Sequence, residues 1–457
     1  MTTLDPRLST APTSRRHVLC RFPAGFRWGA ATSAHQVEGG NQLNDWWRFE
    51  QQPGVIADGA KSGDACRHWD LFDEDFARAA GDGHTMHRLS LEWSRIEPER
   101  GRMDPRAIEH YHSVFASLRR HRLTPLVTLH HFTNPLWIAD RGGWENHETI
   151  DHFCNYVRFC AREYGAEVDW WCTVNEPEVL AFRGWSEGTW PPAKKNDKLA
   201  LLVIAHQLEA HGRAYHILHD EDRIDADGDG HEAMVGFAKN YVWFEPLARW
   251  SPLDRLRAGA EDRVYNQSLL EACVTGNIHL SIPGASTISG HVPELKGSLD
   301  YLGLNVYTRW MVRAVGGKAH VAMPGAPVND LGWEIIPSVL GRAATWASRW
   351  NVPILITEHG VADSGDRLRP RALVESLLSL GEAIEQGANV IGYLHWSLLD
   401  NFEWADGYRG RFGLYQVNFD DPARLRHRTR SAELLAAIAK ENAILVGTAQ
   451  EAGAPPR

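Results

Sequence analysis

Two glutamates carry the chemistry this sequence offers. Glu176 stands in TVNEP, at the end of an apolar run that begins at Trp170, and Glu358 stands in ITEHG, at the end of another that begins at Pro353. More than a third of the chain separates them, so only a closed fold brings them together. Two carboxylates facing across a cleft are what cleavage of a glycosidic bond requires, one to protonate the departing oxygen and one to act at the sugar carbon. A lone glutamate at a strand end is more often a solvated loop carboxylate, so the case rests on what positions and surrounds each of them.

Eight short runs have strand character, at 26–32, 85–93, 125–132, 170–176, 234–241, 301–307, 354–358 and 391–398, each followed by a segment long enough for a crossover helix. Several are continuously apolar, as parallel strands buried on both faces are. Between them the spacing predicts helices over 152–164 and 199–218. Eight βα units without a composition break predict one (β/α)8 TIM barrel over 21–445, whose active site lies at the carboxyl ends of the strands. The segments 1–20 and 446–457 are expected to be a disordered leader and tail.

The polar residues ending those runs form a sugar-reading inventory around an acid/base pair: Gln36 and Glu38 after the first, Arg88 on the second, His130 and His131 on the third, Asn175 and Glu176 on the fourth, Asn305 and Tyr307 on the sixth, Glu358 on the seventh, and WSLLDNFEW from Trp396 on the eighth. The adjacent His130 and His131 do not read as a metal pair, because successive strand residues point to opposite faces. No metal and no cofactor is expected. Arg88 has a structural alternative, an ion pair with Glu92.

The whole-chain properties agree with a small neutral ligand. The 457 residues are 43% apolar and 23% charged, with net charge −10 and no basic block, so nucleic acid and anionic membrane surfaces are poor partners. Six scattered cysteines without a CxxC pair read as reduced thiols of a cytoplasmic protein. HVLC after Arg15 and Arg16 is too short for a signal segment, and no apolar run reaches transmembrane length. The 19 tryptophans serve as core filler or as flat platforms for sugar rings; Trp28, Trp46, Trp47, Trp93 and Trp144 read as core or rim.

These motifs resemble glycoside hydrolase family 1, the retaining β-glucosidase and β-galactosidase family. FPAGFRWGAATSAHQVEG (Phe22 to Gly39) is similar to its amino-terminal motif, TVNEP to its acid/base motif, ITEHG to its nucleophile motif, and WSLLDNFEWADGYRGRFGL (Trp396 to Leu414) to its closing sugar-binding loop, in the family's order. The resemblance implies that Glu176 is the acid/base and Glu358 the nucleophile, with carboxyl groups about 5 to 5.5 Å apart. Arg88 and Tyr307, facing Glu358, would hold it ionised, while Glu176 needs a raised pKa. Asn175 would bond the sugar 2-hydroxyl. Gln36, His131, Glu403 and Trp404 would grip the glycone, Trp396 would floor it, Phe132, Asn305 and Phe412 would stand nearby, and Trp333 would face the aglycone. Glu403 would repel a sugar 6-phosphate.

Three positions depart from the family pattern. Phe132, Thr133 and Asn134 stand where many members have tryptophan and then DLP, so the wall near the glycone 3-hydroxyl is expected to differ. His359 replaces the usual asparagine after the nucleophile and is a candidate to shift the pH profile. Val306 replaces a frequent tyrosine, with Tyr307 as the functional match.

The expected function is that of a retaining exo-β-glycosidase, chiefly a β-glucosidase with β-galactosidase or β-fucosidase activity, acting on small β-glycosides or oligosaccharides. A homo-oligomer is compatible with the sequence. The alternatives are a transglycosidase, if the side around Trp333, Phe182 and Trp185 excludes water, and a non-catalytic sugar-binding relative, which would be expected to lack one of the two glutamates.

Overall fold

In the computed structural model, which describes residues 17–316 and 319–454, all eight runs form strands. They are β1 (Arg27–Ala31), β2 (Met86–Ser90), β3 (Thr124–His130), β4 (Trp170–Asn175), β5 (Met234–Pro246), β6 (Leu302–Val312), β7 (Ile354–His359) and β8 (Val390–Trp396). Each pairs in parallel with the next. β8 returns to β1 with Tyr393 opposite Trp28, and β5 and β6 continue the ring with Asn240 opposite Asn305. The result is a closed eight-stranded parallel barrel. β5 and β6 run on past the barrel mouth as a paired ribbon, which His320–Val321 joins antiparallel.

The crossover helices follow the strands in turn: His68–Gly81, Pro105–Arg120, Glu148–Tyr164, Asp197–Glu221, Ser268–Thr275, Ser338–Ala347, Arg369–Glu385 and Arg430–Glu441. The predicted helix at 152–164 starts one turn earlier, and it buries Phe153, Tyr156, Val157, Cys160 and Tyr164 as its spacing requires. The helix predicted at 199–218 is extended at both ends and is capped by Asn196, whose side chain accepts from the Leu199 amide at 3.2 Å.

The barrel interior is plugged rather than hollow. Met86, Leu126, Trp170, Cys172, Ala238, Tyr301, Leu355 and Leu394 form a buried cluster inside the ring, separate from the larger core between strands and helices. This plug is the floor on which the polar residues of the mouth stand. Trp28, Trp46, Trp93 and Trp144 are core side chains, and all six cysteines are buried and joined by no disulfide.

Order extends beyond the expected bounds at both ends. Val18–Arg21 forms a strand paired with Ala443–Leu445, so the expected disordered leader is corrected from residue 17 onward; residues 1–16 lie outside the described residues. The tail expected at 446–457 begins as a helix, Val446–Glu451, and residues 455–457 lie outside the described residues. No helix among the described residues is long and apolar enough to cross a membrane.

Candidate active site

The two strands that carry the glutamates are irregular where it matters. β4 shifts register against β5 between Cys172 and Asn175, and β7 shifts against β6 between Ile356 and Glu358. One extra residue in each strand turns the chain, as a bulge does. On β4, Cys172 faces the plug, the Thr173 hydroxyl bonds His211 on a crossover helix, and Asn175 returns to the interior. On β7, Thr357 and Glu358 both face inward, because Thr357 donates to Asn305 and Glu358 pairs with Arg88. Glu176 itself has left-handed backbone, φ 44°, immediately before the short helix Pro177–Ala181.

Glu358 holds the cationic position of the site. Its Oε1 accepts from the Arg88 guanidinium and its Oε2 from the Tyr307 hydroxyl at 2.6 Å. Burial pushes its carboxyl up from the ordinary value, and Arg88, Tyr307 and Asn305 oppose that rise by stabilising the anion. Arg88 is therefore a partner of Glu358 and not of Glu92, which accepts from Ser94 and Thr133.

Glu176 forms no ion pair among the described residues. Its Oε1 accepts from Asn305 Nδ2 at 2.8 Å and from Asn240 Nδ2 at 2.9 Å. Burial, and then the charge of Glu358, push it up to about 8, against the weaker pull of the two amides. With a single proton between the two carboxyls, the anion sits on Glu358 beside the guanidinium and the proton on Glu176. Arg88→Lys, which leaves a charge but loses the forked guanidinium, is expected to lower kcat/KM by roughly 10²- to 10³-fold. It also weakens the group that holds Glu358 down, so the acid limb of the pH profile should move to higher pH; an unmoved limb would remove Arg88 from this role.

One guanidinium also orients the surrounding amides. Arg88 is only a donor, so the atom of Asn175 facing its Nη2 at 2.6 Å is the oxygen. Asn175 Nδ2 then donates to His131 Nε2 at 3.3 Å, and Asn305 must present Nδ2 to Asn175 Oδ1 at 3.1 Å. Burial and Arg88 hold the His131 ring neutral, so its proton is on Nδ1, an atom with no hydrogen-bond partner among the described residues. His131 thus offers one free donor to the mouth, while His130 turns outward against Trp144 and Phe153.

The remaining predicted residues gather around a small apolar cluster of their own. Ala31, Ala362, Trp396 and Phe412 are its buried members, with Tyr307 and Trp333 packed on it. His131 lies nearly parallel to both Trp396 and Trp404, at 6.0 and 6.1 Å between centroids. Phe132, at φ 72°, packs edge-on to Trp404 and Trp190. Glu403 has a buried Oε2 without a hydrogen-bond partner among the described residues, and burial, then Asp406 and Glu358, push its carboxyl well up. Gln36 is fully buried; its amide hydrogens go to Asn401 and the Phe402 carbonyl while its oxygen accepts from Ser33, so only a spare lone pair on that oxygen is left for a ligand.

Several sequence expectations are corrected. Thr133 bonds Glu92 and Asn134 bonds Asp45, both away from the glutamate pair, so of that altered triplet only Phe132 belongs to the wall. Trp185 is buried with its indole N–H on Glu145 at 2.5 Å and so does not line that side, whereas Phe182 stacks on Tyr265, which bonds Asn240 beside Glu176. His359 points outward to the Tyr393 hydroxyl at 2.9 Å, and burial lowers it to about 3, so it stays neutral and contributes no charge to a pH profile near neutrality. Asn240 was missed. It is a polar residue on β5 at the barrel mouth, and the strand-end rule that found the other candidates also finds it.

Among the described residues, the one group of acidic and histidine ligands close enough to share an ion is Asp169, Asp225 and Asp227, in the segments leading into β4 and β5. Asp169 and Asp225 accept from backbone amides of that same loop.

Comparison with known proteins agrees with this geometry. The sequence pattern of Glycosyl hydrolase family 1 matches residues 19–444. A β-galactosidase of Pyrococcus woesei is 31% identical, across 93% of this chain and 98% of that protein. The solved structure of a β-glycosidase from Pyrococcus horikoshii superposes with TM-score 0.86 at 32% identity, covering 95% of this chain and 99% of that one. A Thermotoga maritima β-glucosidase in complex with deoxynojirimycin gives TM-score 0.84 at 27% identity, covering 93% and 99%.

Proposed function

This chain belongs to glycosyl hydrolase family 1 and is a glycoside hydrolase, and from that premise we propose that it is a retaining exo-β-glycosidase, chiefly a β-glucosidase with activity on β-galactosides or β-fucosides. The observation that carries the reading is the unequal environment of the two carboxyls. Glu358 is matched to a guanidinium and a phenol, which suits an anionic nucleophile, and Glu176 to neutral amides, which suits a protonated acid.

In the first step Glu358 attacks the anomeric carbon as the bond to the leaving oxygen breaks, and the Glu176 proton passes to that oxygen. In the second, Glu176, now a carboxylate, takes a proton from water, whose oxygen displaces Glu358 and restores the β-configuration. In this reading Asn175 and His131 bind sugar hydroxyls, Trp396 floors the ring, Glu403 and Trp404 grip its far side, and Trp333 borders the aglycone. Glu403 brings a hydrogen-bonding carboxyl and no cation to the far side of the ring, which favours an unphosphorylated sugar. The absence of a disulfide among the six cysteines supports a cytoplasmic location.

The test is hydrolysis of a nitrophenyl panel comprising the β-glucoside, β-galactoside, β-fucoside, β-xyloside and 6-phospho-β-glucoside, with the anomer of the first product read by NMR. Cleavage of unphosphorylated β-sugars with release of the β-anomer is expected. An α-anomer, or preference for the 6-phosphate, would overturn the proposal.

A further inference from the structure

The general acid's environment contains two residues that neither the family motifs nor the strand-end inventory supplied. Both hydrogen bonds to the Glu176 carboxyl fall on the same oxygen, Oε1, and both come from amide nitrogens. The direction of the first is fixed from a distance: Arg88 sets Asn175, Asn175 sets Asn305, and Asn305 presents Nδ2 to Oε1. An oxygen already facing an N–H has no room for its own proton, so the carboxylic proton resides on Oε2. With Oε1 an acceptor, Asn240 must also point Nδ2 at it, and its own Oδ1 then accepts from the Tyr265 hydroxyl at 2.9 Å.

We propose that Asn240, held by Tyr265, is a positioning residue that fixes the Glu176 carboxyl so that its proton is carried on Oε2, the oxygen left to meet the leaving group. The inference rests on Glu176 being the general acid.

The surroundings show why these two residues suit the task. β5 places Asn240 directly opposite Asn305 of β6, so the carboxyl is gripped from two neighbouring strands. Tyr265 comes from the helical turn Arg263–Gln267 beyond β5, and its ring stacks on Phe182 at 6.0 Å, just past the short helix that follows Glu176. The Lys239 ammonium lies 4.9 Å from the centre of the Tyr265 ring, and it donates to Glu178 at 2.9 Å and to the Asn240 carbonyl. Lys239 and Glu178 are both fully buried, so this side of Asn240 is pinned by an ion pair that solvent does not loosen. The titratable groups acting on Glu176 are Glu358 of β7, Glu178 of the helix behind it, Lys239 of β5, Tyr265, Tyr307 of β6 and Glu403. Asn240 is neutral, so replacing it alters hydrogen bonding and leaves this set of charges intact.

The test uses Asn240→Ala and Tyr265→Phe in the full chain, with kcat/KM measured on aryl β-glucosides from phenyl to 2,4-dinitrophenyl. A good leaving group departs without a proton, so a misplaced acid harms only the poor ones. Asn240→Ala is expected to lose roughly 10- to 100-fold on the phenyl glucoside and much less on the dinitrophenyl one. Tyr265→Phe, which removes one hydroxyl and keeps the packing, should show the same bias at a few-fold. Loss of an amide donor to the carboxylate raises the Glu176 pKa, so the base limb of the kcat/KM profile should move to higher pH. Equal losses on both substrates with an unmoved limb, or no loss on either, would overturn the proposal. A Glu176→Ala control losing equally on both substrates would strike instead at the assignment of the acid beneath it.

Discussion

Glu358→Gln is expected to lower kcat/KM for β-glucosides by roughly 10⁴-fold or more on every leaving group, with no covalent sugar adduct found by mass spectrometry when the wild-type protein, given a slow-turnover fluorinated glycoside, gains one sugar mass. The amide is nearly isosteric: its oxygen must face Arg88, which only donates, and its NH2 then faces the Tyr307 hydroxyl, which can accept, so what is lost is the negative charge that bonds to carbon. The loss does not depend on the leaving group because the missing partner is the attacking one. Arg88, itself buried, would face a neutral amide, which leaves a guanidinium without its counter-charge. Some loss of thermal stability should therefore accompany loss of activity. Retained hydrolysis in a folded Glu358→Gln protein would end the assignment of the nucleophile.

Glu176→Ala should behave differently. On a phenyl glucoside the expected loss in kcat/KM is about 10³- to 10⁴-fold, whereas on 2,4-dinitrophenyl glucoside the first step should be nearly spared and the second slowed, giving a burst of released phenol. Added azide should then restore turnover and give a β-glycosyl azide, because a small anion that needs no deprotonation can enter where the carboxylate stood and attack the glycosyl-enzyme. The pH profile gives an independent reading. In the wild-type free enzyme Glu176 must hold its proton, so kcat/KM falls as pH rises through the value near 8 to which burial and Glu358 lift it. Glu358 must be ionised, so kcat/KM falls again at low pH. In Glu176→Ala the base limb should vanish and the acid limb remain. Absence of azide rescue, or a base limb that persists, would assign the acid to another group.

Much of this was legible because the barrel maps chain position onto space. A buried parallel strand is an apolar run, and its carboxyl end is an edge of the mouth, so the last polar residue of each run is a candidate before any contact is known. Arg88, Asn175, Glu176, Asn305, Tyr307 and Glu358 were all found this way, and the structure brings them into one hydrogen-bonded group. Asn240, the last polar residue of the run at 234–241, obeys the same rule although the sequence reading does not single it out. Tyr265 carries no such mark, since its position in a helical turn beyond β5 says nothing about which strand end it reaches.

By itself, the sequence determined the ring of eight strands and the two carboxylates, through periodicity and residue type, and the aromatic platform through the resemblance of its motifs to family 1. Tertiary structure alone decided where side chains point at strand ends, because there the two-residue alternation fails. One extra residue in β4 and one in β7 turn Asn175 and Glu358 inward, while Thr133, Asn134 and His359 are drawn outward to Glu92, Asp45 and Tyr393. It also decided the charge states. Two glutamates of the same type differ in protonation only because a guanidinium from β2 lies on one and amides from β5 and β6 lie on the other, and the energy of a buried charge depends on its neighbours in space rather than in sequence.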